Sequence, residues 1–268
     1  MDTAVNTKLP KCDYEQIIFG NEFAYRGAYF RELLNLNEIR QGGEFIPSEC
    51  RPEFSTAIII PYRHRKDQLE AFIVYIHNFM RQQQIHYRIF LVEQNDEKPF
   101  NRAKLLNIGA VHAIKEKFPC LIFHDVDLFP MNVGNLYVCT AQPRHMPVYI
   151  DKYHFNVVYK DYFGGCVAMR TETFQIINGM SNLFFGWGGE DDNCFDRVKS
   201  KGFKICRFGP NYSKYMMLPH KKEIPIVHLK ALMENAAKQF HTDGLNSLNY
   251  TEKIVILQPF YTHIRVEL

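Results

Sequence analysis

No run of about 18 consecutive apolar residues occurs in this chain, so no segment predicts a membrane-spanning helix. The opening MDTAVNTKLP has neither the charged nor the apolar region of a signal peptide, which predicts a soluble chain as it stands, whole or parted from an anchor. The seven cysteines, at 12, 50, 120, 139, 166, 194 and 206, form no CxxC pair, which argues against a structural zinc site or a thioredoxin-like motif. Their odd number leaves at least one thiol free in any disulfide set, and on spacing alone they read equally well as buried cytosolic thiols. Charge of one sign is also scarce: a net charge of +3 gives no ground for a nucleic-acid partner or an anionic membrane. Internal repeats, low-complexity segments and Pro/Gly/Ser-rich linkers are missing too. What remains is 46% hydrophobic and 23% charged over 268 residues, a folded globular composition with length for a sizeable core. Asn211-Tyr-Ser213 and Asn249-Tyr-Thr251 match the N-glycosylation acceptor pattern, a triplet common by chance.

Residues 1–54 read as an irregular leader with a short helix around Ala28–Leu36. Regular patterning begins at Thr56. Ala57–Ile60 is a continuous apolar run that predicts a strand buried on both faces. Asp67 can cap a helix carrying Leu69, Phe72, Ile73, Ile76 and Met80 at helical spacing. Tyr87–Val92 predicts a second strand, and Asn101 can cap a second helix with Leu106, Ala110, Ala113 and Ile114 on one side. Leu121–Phe123 predicts a third strand. This alternation implies βαβαβ units and a parallel sheet. Pro61-Tyr-Arg-His-Arg65, Glu93-Gln-Asn95 and Asp125-Val-Asp127 then fall at the carboxyl ends of parallel strands, where open α/β sheets bind ligands. The first βα turn has no GxGxxG, so arginines and carboxylates there suit a diphosphate held with a metal better than a dinucleotide.

Asp125 and Asp127 project to one side of an extended segment. One could bind a divalent cation while the other accepts hydrogen bonds from a ribose or uracil. A phosphatase with an Asp nucleophile is the rival, but Phe129 stands where such enzymes usually carry Thr. Arg63 and Arg65 offer guanidinium forks for phosphate, against the reading of solvated surface arginine. Arg102 lies at a helix start, a favourable anion site. Phe185-Gly-Trp-Gly-Gly-Glu-Asp-Asp192 holds the single tryptophan, three glycines that permit unusual backbone angles, and three consecutive carboxylates. An aromatic face and carboxylates suit a sugar, and one carboxylate could take a proton from an attacking hydroxyl. An acidic helix start favoured by the dipole explains the same charges. His220 could bind metal or be structural, and the thioether of Met217 is by its softness not an obvious ligand.

Together the stretches IIIPYRHR (58–65), FNRAKLLNIGA (100–110), DVDLFPMN (125–132), QPRH (142–145), YFGG (162–165), GWGGEDD (186–192) and DGLNSL (243–248) resemble the β-1,4-galactosyltransferase family, in family order over roughly residues 10–268. The resemblance implies a single α/β, glycosyltransferase-A-like domain with a Rossmann-like nucleotide-sugar-binding core and mobile acceptor loops near Phe184–Gly189 and Met217–Lys238. It implies a leader over 1–54 packed on a catalytic domain over 55–268, with a donor-binding half at about 55–150 and an acceptor and metal half at about 151–268. Asp127, Met217 and His220 match manganese ligands. Pro61, Tyr62, Arg63, His64, Arg65, Phe100, Asn101, Arg102, Asp125, Val126, Lys152, Trp187 and His220 match donor-binding positions. Tyr159, Tyr162, Gly189, Glu190, Asp191 and Asp192 match acceptor positions. Asp191 matches the general base, with Glu190 beside it in the catalytic pair. Cys12 with Cys50, and Cys120 with Cys139, match the family disulfides, and paired cysteines imply an oxidising lumen, here the Golgi.

The implied reaction is inverting, Mn2+-dependent transfer of galactose from UDP-galactose to the 4-hydroxyl of a terminal sugar, N-acetylglucosamine, on glycoproteins or glycolipids. Membrane contact would come only through an anchor. Tyr at 162 goes with galactose, a smaller residue with N-acetylgalactosamine. Gly189 stands where a xylose-accepting relative carries Arg, and Leu229-Lys230 replaces an Arg-Phe pair of the N-acetyl pocket. The alternatives are N-acetylgalactosamine transfer, a catalytically silent sugar-binding protein and a metal phosphohydrolase.

Overall fold

The computed structural model describes residues 9–20, 38–219 and 223–268. The helix expected around Ala28–Leu36 lies outside the described residues, as does His220. Where irregular chain was expected, the leader forms a short helix, α1 (Tyr14–Gly20), and a two-residue strand, β1 (Glu44–Phe45).

Next come β2 (Ser55–Tyr62), α2 (Lys66–Gln82), β3 (His86–Gln94), α3 (Arg102–Lys115) and β4 (Cys120–His124), the expected βαβαβ order. Side chains alternate across a strand, so the unbroken apolar run of β2 serves two cores. Ile58 and Ile60 pack with Phe72, Ile76 and Phe79 of α2, whereas Ala57 and Ile59 pack with Leu105, Leu106 and Ile108 of α3. Asn101 caps α3, its side-chain oxygen accepting from the Lys104 amide at 2.9 Å. Asp67 does not cap α2. That helix starts at Lys66 with Arg65 in the cap position, which leaves Asp67 in the first turn, where its charge suits the dipole.

Gly109 lets α3 approach the sheet closely. A Cβ there would lie 2.3 Å from Ile59 Cγ2 and 2.9 Å from Val92 Cγ2. Gly109→Ala is therefore expected to destabilise by about 1–3 kcal/mol through overpacking, despite alanine's better helix propensity. A urea midpoint that falls at unchanged slope would register it, and an unchanged or raised midpoint would contradict it.

The rest of the chain forms β5 (Leu128–Pro130), β6 (Arg144–His145), β7 (Tyr149–Ile150), β8 (Cys166–Arg170), α4 (Thr171–Ile176), α5 (Glu190–Ser200), β9 (Lys214–Met217), α6 (Leu229–Lys238), β10 (Thr251–Leu257) and β11 (Thr262–Glu267). The main sheet runs β10-β11-β3-β2-β4-β8-β6, with β1 also beside β3. Strands β4, β2, β3 and β11 are parallel, but β8 is antiparallel to β4, and β1 and β10 are antiparallel to β3 and β11. The sheet is mixed rather than parallel, because no α-helix crosses over between β4 and β8 and the chain returns in the opposite sense. A second sheet, β5-β9-β7, starts directly after Asp127. Disulfides join Cys12 to Cys50 and Cys120 to Cys139; Cys166 and Cys194 are free and buried, and Cys206 is free and half-buried. Among the described residues no helix is long and apolar enough to cross a membrane.

Candidate active site

Two of the three polar clusters meet at the carboxyl ends of β2 and β4. Pro61 and Tyr62 end β2, and the chain turns through His64, at φ 50°, into α2. Arg65 Nη1 donates to Asp127 Oδ2 at 3.2 Å. Arg63 donates to the Lys98 carbonyl at 2.6 Å, lies over the Phe100 ring at 5.3 Å, and reaches within 3.6 Å of Glu223. The third cluster has a different use. Glu93 and Gln94 lie inside β3, where Glu93 accepts from His263 at 2.8 Å and Arg265 at 2.9 Å, tying β11 to the sheet. Gln94 accepts from the Asn101 amide at 2.9 Å and so fixes the entry to α3.

Arg102 links carboxylates from two parts of the chain. From the first turn of α3 its Nε donates to Asp125 Oδ1 at 2.6 Å, while Nη1 lies 3.9 Å from Glu190 at the start of α5. Burial alone would lower the Arg102 pKa, but Asp125, Glu190 and Asp191 reverse that and hold it above its ordinary value. The carboxylates respond in kind. Burial, then the charge of Asp191, raises Glu190 to about 7 against the opposing pull of Arg102. Burial and Asp192 raise Asp191, and burial raises Asp125. Glu190 Oε2 is buried with no hydrogen-bond partner. One guanidinium thus joins the DxD segment to the acidic helix.

Asp127, 4% exposed, and Met217 leave neighbouring backbone: Leu128 pairs with Met217 across β5 and β9, and the Leu218 amide donates to the Asp127 carbonyl at 2.8 Å. The Lys152 ammonium donates to Met217 Sδ at 3.6 Å, so that sulfur already accepts a cationic group. A carboxylate and a thioether suit a divalent cation of borderline hardness better than a purely hard one. His220, the third expected donor, lies outside the described residues, and among those described no three His, Cys, Asp or Glu side chains gather as a metal cluster.

On the other side, Gly186, Gly188 and Gly189 all adopt positive φ, as the expected unusual angles require, and Gly189 precedes α5. Trp187 is 62% exposed and is held by its backbone, its N–H donating to Ile224 O at 2.9 Å and its carbonyl accepting from the Ile226 amide at 3.1 Å. The Tyr159 hydroxyl donates to Asp192 Oδ1 at 2.7 Å, and the Tyr159 and Tyr162 rings meet edge to face at 5.3 Å. A Cβ on Gly164 would lie 2.4 Å from Asp191 Oδ2 and 2.8 Å from the Tyr162 ring, so Gly164 leaves room for both.

Four neighbours were not among the expected site residues: Gly164, His145, Arg207 and Asp151. His145 stacks edge-on against Tyr162 at 5.1 Å, and burial lowers its pKa to about 3. The neutral ring donates from Nε2 to the Gly164 carbonyl at 3.1 Å, which leaves Nδ1 to accept from Arg207 at 3.4 Å. Arg207 also donates to the Tyr162 carbonyl at 2.8 Å. Asp151 Oδ1 accepts from the Met217 amide at 2.9 Å and the Lys152 amide at 2.7 Å. The QPRH and YFGG motifs drew attention to His145 and Gly164 without giving either a role.

Residues 28–140 match the family model described as the N-terminal region of glycosyl transferase group 7, and residues 144–221 match the one described as the N-terminal domain of galactosyltransferase. The chain is 40% identical to β-1,4-galactosyltransferase 2 of Cricetulus griseus over 85% of its own length and 63% of that protein's. It thus spans less than two thirds of that relative. It is 39% identical to β-1,4-galactosyltransferase 4 of the same organism, over 89% of this chain and 72% of that one. Among solved structures it resembles a mutant of Drosophila β-1,4-galactosyltransferase 7 in complex with manganese, UDP-Gal and xylobiose, with a TM-score of 0.69 and 28% identity over 80% of this chain and 94% of that one. The fold is that of glycosyltransferase A-like enzymes, and the chain belongs to the β-1,4-galactosyltransferase family.

Proposed function

We propose that this chain transfers galactose from UDP-galactose, with inversion and with Mn2+, to the 4-hydroxyl of a terminal N-acetylglucosamine on glycoproteins or glycolipids in the Golgi lumen. The observation that carries this reading is the Arg102 bridge between Asp125 and Glu190, which joins a diphosphate-binding end of the sheet to an acid-lined sugar site. In this reading residues 55–150 hold the donor, 151–268 the acceptor and metal, and the leader over 1–54 packs on the catalytic domain. The two disulfides support an oxidising compartment.

The cation, held by Asp127, Met217 and His220, would neutralise charge on the departing diphosphate. Arg63, Arg65 and Lys152 add positive charge at the same end. Asp125, fixed by Arg102, faces the nucleotide with Val126, and Pro61, Tyr62, His64, Phe100 and Asn101 shape its pocket. Trp187, on its glycine loop, touches the donor phosphate and closes over the acceptor. Asp191 takes the proton of the attacking hydroxyl, and its raised pKa makes it a stronger base than an exposed aspartate. Glu190, Asp192, Tyr159 and Gly189 line the acceptor site.

Tyr162 sets the donor sugar by bulk. His145, Tyr159 and the Arg207 bond to its carbonyl hold it in place, so it cannot yield to a 2-acetamido group. Tyr162→Leu is expected to improve N-acetylgalactosamine transfer relative to galactose by roughly 10–200-fold, the range one pocket contact commands. A donor ratio unmoved in this variant would refute the steric account. The whole reading is tested by assaying UDP-sugars with manganese, and with a chelator, against a panel of terminal sugars, with products read by mass and linkage. Manganese-dependent galactose transfer with a β1,4 linkage supports it. Donor binding without turnover would favour a silent sugar-binding protein, and phosphate release from simple esters a phosphohydrolase.

A further inference from the structure

Strand β10 poses a problem that the transferase site does not explain. It ends the main sheet, and among the described residues no strand pairs with its outer edge. All of Thr251–Leu257 is exposed, although four of its residues are large and apolar: Ile254 at 39%, Val255 and Ile256 at 43%, and Leu257 at 45%. Neighbours along a strand face opposite sides, so both faces of β10 show hydrocarbon to water. Its charges, Glu252 and Lys253, lie at the first end, and Lys253 is paired with Glu267 at 2.8 Å. Free apolar edges invite pairing with another chain, and proteins normally blunt them with charge, proline or a cover.

The start of the same strand supplies a cover. Asn249-Tyr-Thr251 is an acceptor triplet for N-glycosylation, and Asn249 and Thr251 are exposed, while Tyr250 between them packs against the core beneath α3. The Asn249 side chain is thus directed away from the core at the first end of β10, on whose outer side no described strand pairs. We propose that Asn249 carries an N-linked oligosaccharide that covers β10 and keeps the sheet from pairing with a second copy. The Asn249 amide nitrogen bonds to C1 of the sugar of a polyprenyl-pyrophosphate-linked oligosaccharide; the C1–O bond breaks, the polyprenyl pyrophosphate leaves, and one amide proton is released. A bulky, hydrated chain there restricts approach along the edge without changing any contact of the folded protein. The proposal rests on the luminal reading given above. It owes nothing to Asn211, which is exposed but followed by a buried Ser213, on a turn remote in sequence from the edge.

The test is to send the full chain through the secretory route of a eukaryotic cell and map its glycans by enzymatic release in heavy-oxygen water, which converts a glycosylated Asn to labelled Asp. Label at Asn249 is expected in the wild type and in Asn211→Gln, and its loss in Asn249→Gln and Thr251→Ala. By light scattering, the folded wild type should be monomeric, and enzymatic deglycosylation should make it self-associate with rising concentration. Val255→Lys, which charges the edge, should restore the monomer after deglycosylation. An unlabelled Asn249 in a chain with both disulfides formed overturns the proposal alone. An unlabelled Asn249 with all four of those cysteines reduced overturns it together with the luminal reading. A labelled chain that stays monomeric after deglycosylation overturns the shielding.

Discussion

Replacing Asp191 with Asn is expected to lower kcat by about 10²–10⁴, the usual contribution of a positioned general base, while UDP-galactose binding stays near the wild-type value. The side chains differ by one ionisable oxygen, and the shape left by Gly164 fits either, so folding should be unaffected. The pH profile distinguishes lost basicity from lost positioning. Burial and the charge of Asp192 raise the Asp191 pKa, so the ionised base fails as pH falls through a range above that of an ordinary aspartate. The acid limb of kcat should therefore lie high. Asp192→Asn, which removes a like charge, should move it down, and Arg102→Lys, which places the cation differently, should alter it as well. Because Asp191 and Glu190 interact, the limb belongs to the pair, and Glu190, raised to about 7, contributes to it. Calorimetry with UDP-galactose completes the test. An Asp191→Asn enzyme that retains most of its kcat, or loses donor binding in step with it, would remove Asp191 from the role of base.

How much of this pocket could be read in advance differed between its two sides. The β2-α2-β3-α3-β4 core was legible because its strands are buried on both faces and its helices repeat apolar residues at their own period. The Asn101 cap was legible because its side chain meets an amide three residues on. The Asp67 assignment failed because Arg65 lies at the same boundary and a cap position needs no capping side chain. Glu93 looked like part of the site because it falls at the end of a strand, yet its partners, His263 and Arg265, are at the other end of the chain. The small sheet was missed. Its strands, such as β7 and β9, are too short to show a period, and they are set by pairing with one another. The positioning residues share that difficulty. Arg207 reaches Tyr162, and Asp151 reaches Met217, only once the chain has folded back. The family motifs named the reacting groups, but the groups that orient them are long-range contacts with no local signal.

The same long-range character makes Arg102 the most consequential single charge in the pocket. Arg102→Met removes the cation that lies beside both Asp125 and Glu190. It leaves two half-buried carboxylates, one of which already has a partnerless buried oxygen. Removing one partner of such a pair is expected to cost about 3–5 kcal/mol, because the charges left behind keep their desolvation penalty without its compensation. The sign with pH follows from the pKa directions. Burial already raises both carboxylates, and loss of Arg102, which pulls both down, must raise them further above their unfolded values. The folded state of the variant then binds protons that the unfolded state releases. Its deficit should be larger at pH 8 than at pH 5 and shrink as pH falls through the raised pKa values, which for Glu190 lie above the wild-type value of about 7. Thermal denaturation of wild type and variant at pH 5 and pH 8 measures this, and adding Glu190→Gln to Arg102→Met should recover part of the loss at pH 8. A deficit equal at both pH values, or below about 1 kcal/mol, a size ordinary for surface ion pairs, would mean that Arg102 serves the donor without holding the two halves of the pocket together.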